Sequence, residues 1–233
     1  MDHAIRFART WFKASTAWLL RFIIMMKAVR KIEPEREVVG ENQEPKIRPS
    51  QVPVEIKATP ICGSELHICR WDEQTTRWKT PLPMTVGHEF SGKVVEIGTE
   101  VKSLQPGDNV AGDSHIPRGI CYYCKTGNVH VYQTMLISGL QTVEGTFAKY
   151  AVVPEIIAYR SPTGVSYEQS ALLEPFGMAM HASKRTLIEP GGVVLVMGSG
   201  AIGIFAQQIA SASGASTVTA NLTEYSSKLH YPG

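Results

Sequence analysis

The sequence has few of the features that mark a disulfide-rich, membrane-spanning or nucleic-acid-binding protein. Only 4 of its 233 residues are cysteine, and two of these form a C-x-x-C pair, so a disulfide scaffold is not indicated and a reducing compartment is favoured. Its apolar runs are shorter than the roughly 20 residues of a membrane span. A formal net charge of +2 is too small to predict a nucleic-acid or membrane partner. With these classes excluded, a content of 43% hydrophobic residues predicts a soluble globular chain.

Residues 1–25 differ in composition from the rest of the chain. They carry four basic side chains against a single acid, Asp2. A basic, acid-poor amphipathic segment is typical of a mitochondrial transit peptide. The alternative is upstream sequence translated from an early start, because Met26 begins a strand-like segment. The sequence therefore predicts a cytoplasmic protein, or a mitochondrial one if residues 1–25 are a transit peptide.

From Met26 onward, short strands with glycine and proline between them predict a partly open β-barrel. The strands are expected over residues 27–30, 52–58, 90–98, 109–111 and 147–154. Helical patterning comes later, over residues 167–173 and 179–187. Within that second helix, the apolar face around His181 predicts a core histidine.

A thiol, an imidazole and a carboxylate are available from Cys62 and the consecutive pair His88 and Glu89. Sulfur and imidazole nitrogen are the ligands that zinc selects. A catalytic zinc needs three or four ligands in all and keeps one position open. The cluster therefore indicates a catalytic zinc site, and Ser64 and His67 lie beside it in the sequence.

The second motif is a glycine-rich turn between an apolar run, residues 191–197, and a helical pattern, residues 204–213. The turn reads Gly198-Ser199-Gly200-Ala201-Ile202-Gly203, which is G-x-G-x-x-G in the context of a dinucleotide-binding βα unit. Its glycines permit a tight turn, backbone approach to a pyrophosphate and close helix–strand packing. A second strand is predicted over residues 216–220.

Asn221 stands where an acid that binds the adenosine ribose is expected. It can hydrogen-bond a ribose hydroxyl but lacks the charge that repels a 2′-phosphate. NAD is therefore the default cofactor, and NADP stays open.

In this order, the Cys62–His67 segment, the Gly87-His88-Glu89 triplet, Pro106-Gly107-Asp108, Glu174-Pro175 and the glycine turn resemble the zinc-dependent medium-chain dehydrogenases of the alcohol dehydrogenase superfamily. The finer pattern is most similar to the L-threonine 3-dehydrogenases, although sorbitol and other polyol dehydrogenases share the larger motifs. The resemblance implies an α/β plus β fold, with a GroES-like, partly open β-barrel followed by an incomplete Rossmann domain. The implied domains are a leader, residues 1–25, a zinc catalytic domain, residues 26–185, and a nucleotide-binding part, residues 186–233.

The same resemblance implies roles for individual residues. Cys62 and His88 would bind zinc, and Glu89 and Glu174 would be carboxylates on or near the metal. Ser64 and His67 would pass a proton to solvent, and His115 would line the substrate pocket. The residues expected to bind NAD are Gly198, Gly200, Ala201, Ile202, Gly203 and Asn221. The implied reaction transfers a hydride from a small secondary alcohol, such as L-threonine, to NAD.

Two departures from the family pattern carry further expectations. The family's structural zinc is bound by four thiolates. Here only Cys121 and Cys124 remain, and Arg118 and Tyr132 occupy the other two positions. We therefore predict that the structural zinc is absent and that the lobe over residues 113–140 is looser. Few residues follow the glycine turn, so the nucleotide-binding domain is predicted to be incomplete. An inactive relative that binds zinc or nucleotide is therefore the alternative function. A full-length form is expected to be a homo-oligomer.

Overall fold

The computed structural model describes residues 25–132 and 136–220. The predicted leader, except for Met25, lies outside these ranges, and so does Asn221. Thr219 and Ala220 are described for their backbone only.

Twelve strands and six α-helices form in the described ranges. The strands are β1 (Met25–Glu33), β2 (Arg36–Gln43), β3 (Gln51–Ala58), β4 (Met84–Thr85), β5 (Ser91–Val94), β6 (Asn109–Gly112), β7 (His115–Ile116), β8 (Leu136–Ile137), β9 (Tyr150–Pro154), β10 (Ala158–Arg160), β11 (Val193–Met197) and β12 (Ser216–Ala220). The helices are α1 (Gly63–Arg70), α2 (Glu73–Trp78), α3 (Tyr122–Lys125), α4 (Tyr167–Ala171), α5 (Leu173–Thr186) and α6 (Ala201–Ala212).

The first part of the molecule is built from open antiparallel sheets. A five-stranded sheet has the order β10-β6-β5-β3-β9, and a three-stranded sheet has the order β2-β1-β4. The two are linked by a bridge between Ala28 and Ala148. The main core lies against the five-stranded sheet, where Val52, Val54 and Val110 are fully buried. This arrangement confirms the predicted partly open β architecture.

The second part is a parallel β-α-β unit formed by β11, α6 and β12. Val193 pairs with Ser216, and the parallel register continues to the end of both strands. Helix α5 packs against α6, with the rings of Phe176 and Phe205 5.6 Å apart. The strand, turn, helix and strand predicted from the glycine motif are therefore all present.

The structure shortens two predicted strands and lengthens two predicted helices. The strand expected over residues 90–98 ends at Val94, although Val95 and Gly98 still donate backbone hydrogen bonds to Pro53 and Gln51 of β3. The strand expected from residue 147 starts at Tyr150. Helix α5 begins at Leu173, since Pro175 lies in the first turn, where its missing N–H removes no hydrogen bond. Helix α6 starts at Ala201 instead of residue 204.

The prediction that His181 is a core histidine is wrong. His181 is exposed on α5, and its ring lies 4.7 Å from the ring of His130. The apolar residues next to His181 in the sequence therefore did not predict its burial, because the core does not cover the face of α5 that carries His181.

Among the helices of the described ranges, none is both long and apolar enough to cross a membrane.

Candidate metal centre and nucleotide-binding turn

Three of the predicted zinc ligands converge in the structure. One potential ligand atom from each of Cys62, His88 and Glu89 lies within 4.8 Å of the others. Cys62 is the N-cap residue of α1, whereas His88 and Glu89 lie just before β5. His88 is 3% exposed and Glu89 is 4% exposed. Residues that lie far apart in the sequence thus form a compact, mostly buried donor set.

Glu65 connects two of these three residues. One of its carboxylate oxygens is hydrogen-bonded to Nδ1 of His88, and the other accepts the backbone N–H of Cys62 at 2.8 Å. Because Nδ1 of His88 is bonded to Glu65, its other ring nitrogen, Nε2, faces Glu89 and lies 3.8 Å from the Glu89 carboxylate. A carboxylate on the second ring nitrogen is the usual support for a metal-binding histidine. Glu65 received no role from the sequence, although its position three residues after Cys62 is that of a capping-box residue.

Backbone contacts hold the loop that carries the other two ligands. The carbonyl of Glu89 accepts hydrogen bonds from Thr59 Oγ1 at 2.7 Å and from Thr146 Oγ1 at 3.1 Å. Gly139 packs so closely that a β-carbon there would lie 1.8 Å from the Gly87 carbonyl oxygen. The backbone around His88 is therefore confined by residues that lie far from it in the sequence on both sides.

The centre has the electrostatics of a cation site. Burial favours the neutral imidazole, but hydrogen bonds with Cys62 and Glu65 outweigh it and raise the pKa of His88 to about 10. Burial also raises the pKa of the Glu89 carboxyl; the positive charge of His88 opposes this, and the negative charges of Glu174 and Glu65 add to it. The cluster therefore stabilises a positive charge at its centre.

Glu174 belongs to a second group beside the first. Its carboxylate, that of Asp113 and the ring of His115 place ligand-type atoms within 4.8 Å of one another. Asp113 Oδ1 is 2.7 Å from His115 Nδ1, and Glu174 accepts a hydrogen bond from Ser114 Oγ at 3.1 Å. The negative charge of Glu174 also contributes to the raised pKa of Glu89. Asp113 was not assigned a role from the sequence.

The proposed proton-transfer residues lie on α1, next to the donor set. Ser64 Oγ is 3.8 Å from Cys62 Sγ. His67 is 46% exposed, and its Nδ1 is 2.6 Å from a carboxylate oxygen of Asp72. The sequence did not indicate Asp72 as the partner of His67, and its position as the N-cap of α2 was the available signal.

The glycine turn has the shape that dinucleotide binding requires. Gly198 has a φ of +98°, which favours glycine. A β-carbon at Gly203 would lie 2.0 Å from the Gly198 carbonyl oxygen, whereas one at Gly200 would meet nothing within 4 Å. The space at Gly200 lies in front of the first turn of α6, where exposed Ala201 and Ile202 follow a cap that has no side-chain hydrogen bond. In the described ranges no other backbone carbonyl accepts the N–H groups of Ala201 and Ile202, so they can bind a phosphate.

The donor set fits zinc. It offers sulfur, nitrogen and oxygen from three side chains, which is the ligand number of a catalytic zinc site that keeps a position open. It is buried, and it is supported by a carboxylate on the far side of the histidine ring. Within the part of the chain that the structure describes, Cys121 and Cys124 belong to no group of three or more metal-ligating side chains. The predicted absence of a structural zinc stays a prediction.

Comparison with known proteins adds a family match and many relatives. Residues 48–163 match the alcohol dehydrogenase GroES-like domain. The chain is 37% identical over 202 residues to L-threonine 3-dehydrogenases from Vibrio parahaemolyticus and Shewanella loihica, which covers 86% of this chain and 58% of each relative. The chain thus spans less than two thirds of the length of these curated relatives.

Solved structures agree on the fold. A zinc-binding dehydrogenase from Sinorhizobium meliloti bound to NADP is similar with a TM-score of 0.82 and 30% identity, covering 89% of this chain and 59% of that one. Galactitol-1-phosphate dehydrogenase from Escherichia coli is similar with a TM-score of 0.79 and 30% identity, covering 88% and 58% respectively.

Proposed function

Because residues 48–163 belong to the alcohol dehydrogenase GroES-like family, we propose that this chain supplies the zinc site and the pyrophosphate-binding turn of an NAD-linked secondary-alcohol dehydrogenase. The observation that carries the proposal is the convergence of Cys62, His88 and Glu89 within 4.8 Å. The βα turn at Gly198–Gly203 supplies the second requirement, a place for the hydride acceptor.

Cys62, His88 and Glu89 would hold the zinc ion, with Glu174 close by. Bound zinc supplies Lewis-acid chemistry, which lowers the pKa of an alcohol hydroxyl. Glu65 fixes the ring of His88 and the backbone of Cys62, so the donor atoms are positioned before any ion arrives. Because these residues are buried, they also limit the access of bulk water to the centre.

Ser64 and His67 would carry the released proton away from the substrate hydroxyl. Ser64 lies against Cys62, at the inner end of such a path. His67 is nearly half exposed and paired with Asp72, at the outer end. A hydroxyl followed by an imidazole that reaches solvent can pass a proton outward.

The second group would form the wall of the substrate pocket. His115 lies beside Glu174 and Asp113, and hydrogen bonding to Asp113 raises its pKa. We propose L-threonine as the substrate because the 37%-identical relatives are L-threonine 3-dehydrogenases. A polyol-type alcohol is the alternative, since galactitol-1-phosphate dehydrogenase is similar in structure.

NAD is proposed as the hydride acceptor, bound at Gly198, Gly200, Ala201, Ile202, Gly203 and Asn221. The relative bound to NADP supports the general class of acceptor and leaves the choice between NAD and NADP to experiment. We propose the same domain limits as from the sequence, residues 26–185 and 186–233. We also propose a cytoplasmic location and a homo-oligomeric full-length form.

The direct test is whether the zinc-loaded protein reduces NAD when L-threonine is the substrate. The reaction is monitored by the absorbance of the reduced nicotinamide. Cys62→Ala should abolish the reaction, whereas Cys69→Ala, an exposed thiol on the same helix, should not. Sorbitol in place of L-threonine separates the two substrate classes. If folded, zinc-loaded protein turns over neither alcohol, the dehydrogenase proposal fails.

A second candidate function is binding of zinc or nucleotide without turnover. It is favoured by the nucleotide-binding sheet, which has two strands in the described ranges. Zinc and NAD binding by calorimetry, together with no turnover of either alcohol, would support this candidate over the first.

A further inference from the structure

The pair Cys121 and Cys124 has a geometry that the proposed function does not use. Cys121 Sγ and Cys124 Sγ lie 3.6 Å apart. Both residues are half-buried, so the thiols face each other at the surface of the lobe without being closed off from solvent.

The backbone holds the two thiols on one side of a short turn. Cys121 precedes α3, and its carbonyl accepts the N–H of Lys125 at 3.1 Å. The carbonyl of Cys124 accepts the N–H of Gly127 at 3.3 Å. A disulfide bond is about 2.05 Å long, so about 1.5 Å of sulfur movement closes the pair, which side-chain rotation supplies.

Among the described residues, the surroundings of the pair do not complete a metal site. The resemblance places a thiolate at Arg118, which is exposed, and another at Tyr132, which is buried with 7% exposure. In the ranges that the structure describes, no third metal-ligating side chain joins the two thiols in a compact group. Two thiolates alone do not close a tetrahedral zinc site.

The charge of the lobe favours an anionic reaction partner. The sequence contains no Asp or Glu from residue 114 to residue 143, but it has Arg118 and Lys125 on either side of the cysteine pair. Such a basic segment attracts small anionic disulfides by simple electrostatics. Exposed Tyr122 and Tyr123 lie between the two cysteines, so the pair is approachable.

From this juxtaposition we infer that Cys121 and Cys124 form a redox site, a dithiol that closes to an intramolecular disulfide by exchange with a small anionic disulfide such as oxidised glutathione. One cysteine thiolate attacks a sulfur of the small disulfide, forms a mixed disulfide and releases one small thiol. The other cysteine thiolate then attacks the protein sulfur of the mixed disulfide and releases the second small thiol. The protein dithiol is oxidised by two electrons, the small disulfide is reduced by two, and the two protein protons end on the two released thiols.

The test uses the full 233-residue chain in buffers with a stepped ratio of reduced to oxidised glutathione, quenched in acid and alkylated. Trypsin cleaves after Arg118 and Lys125, so residues 119–125 are released as one peptide that holds both thiols. The chain provides its own control, because cleavage after Lys57 and Arg70 releases Cys62 and Cys69 together. Those two are seven positions apart along α1, which corresponds to about 10 Å, too far for a disulfide.

The expected result is a peptide of residues 119–125 that becomes two hydrogens lighter and resists alkylation as the oxidised fraction rises. The control peptide, residues 58–70, should never show this internal loss. Cys121→Ser and Cys124→Ser should each stop at the mixed disulfide with glutathione on the remaining thiol, which shows that the second step needs both cysteines.

Two results would overturn the inference. One is a peptide of residues 119–125 that stays fully alkylated in every buffer, or that carries only mixed disulfides. The other is a stoichiometric metal ion in the purified protein that protects both thiols and disappears in the Cys121→Ser/Cys124→Ser double variant. Neither result bears on the dehydrogenase proposal, which rests on Cys62, His88 and Glu89.

Discussion

At the scale of single residues, the geometry of the candidate metal centre depends on Glu65. Its carboxylate is 5% exposed and contacts both the ring of His88 and the backbone of Cys62. Removal of such a supporting carboxylate typically lowers metal affinity by about 10- to 100-fold. Without it, the imidazole of His88 loses its fixed orientation while the three ligands themselves remain.

We therefore expect Glu65→Gln to weaken zinc binding by about 10- to 100-fold, measured by competition with a chromophoric chelator. Glu73→Gln is the control, because Glu73 pairs with Arg77 on the surface of α2, where both side chains are more than two thirds exposed. Unchanged zinc affinity in Glu65→Gln would show that the Glu65 carboxylate is not needed to orient Cys62 and His88.

The pair Asp113 and His115 predicts a pH dependence of stability. Hydrogen bonding to Asp113 raises the pKa of His115 above its ordinary value of 6.5, so its stabilisation is complete below that value and is lost as pH rises through the folded pKa. Burial works against the Asp113 carboxylate, but hydrogen bonds from His115 lower its pKa below the ordinary 3.8. Its stabilisation is complete above that value and is lost as pH falls.

Asp113→Asn should therefore reduce the free energy of unfolding most at about pH 5, by about 1 kcal/mol or less, since the carboxylate is 43% exposed and solvent screens the pair. The difference should shrink toward alkaline pH, as followed by urea denaturation. In a His115→Gln background the Asp113→Asn change should show no such pH dependence. An effect that is equal at all pH values would contradict an ionic pair.

The sequence allowed the convergence of Cys62, His88 and Glu89 to be predicted because zinc chemistry restricts the residue types. It did not reveal Glu65, Asp72 or Asp113 as partners. Glu65 and Asp72 lie at helix starts, where an acidic residue indicates a cap but not a further partner. Asp113 lies between two strands, and no local pattern marks it. His181 illustrates the reverse error, since its apolar neighbours gave no information on whether another element covers it.

At the scale of elements, the site depends on loops that come close together. Gly139 has a φ of +68° and leaves no room for a side chain beside Gly87, whereas Gly119 has a similar φ of +74° and open space. Alanine at either position meets the same backbone strain of roughly 1 kcal/mol. At Gly139 it also collides with the backbone that carries His88.

Gly139→Ala should thus lower the free energy of unfolding by about 1–3 kcal/mol more than Gly119→Ala, measured by urea denaturation, and it should weaken zinc binding. Equal losses for the two variants would mean that the loop at Gly87 moves aside without cost.

The glycine turn offers a second comparison between positions. Alanine at Gly200 fits the free structure, since nothing lies within 4 Å and the backbone is extended, but it fills the space that a pyrophosphate requires. We expect Gly200→Ala to keep the fold and to weaken NAD binding by about tenfold or more, which is about 1.4 kcal/mol. Gly177→Ala on α5, also in open space, is the control. Calorimetry that shows the same NAD affinity for both would exclude this turn as the nucleotide site.

Element types were predictable wherever the hydrophobic pattern agreed with the positions of glycine and proline, as for β3, β6 and β11-α6-β12. Element ends were less so, because they depend on tertiary contacts. After β5 ends at Val94, single backbone hydrogen bonds from Val95 and Gly98 still reach β3. The early start of α5 follows from a proline tolerated in its first turn. The contacts with β3 are not visible in the local sequence, whereas Pro175 is a local feature that is compatible with a helix start.

At the scale of the whole molecule, burial is unequal in the two parts. The five-stranded sheet has fully buried residues such as Val52 and Val54. In the two-stranded parallel sheet, Val193 is 73% exposed and Met197 is 82% exposed. Regions with little buried apolar surface open at a lower free energy than the rest of a protein.

Native-state hydrogen exchange should therefore show weaker protection in β11 and β12 than in β3 and β9. Mass spectrometry of peptic fragments gives this comparison within one sample, so each sheet is the control for the other. Equal protection of both sheets would indicate one cooperative unit and contradict the difference in burial.

The measurement that tests the account most directly is the zinc content of the purified chain and its variants, by elemental analysis. We predict one zinc ion per chain, lost in Cys62→Ser and in His88→Ala and retained in the Cys121→Ser/Cys124→Ser double variant. Zinc that persists in Cys62→Ser but disappears in the double variant would place the metal in the lobe and contradict the proposed centre.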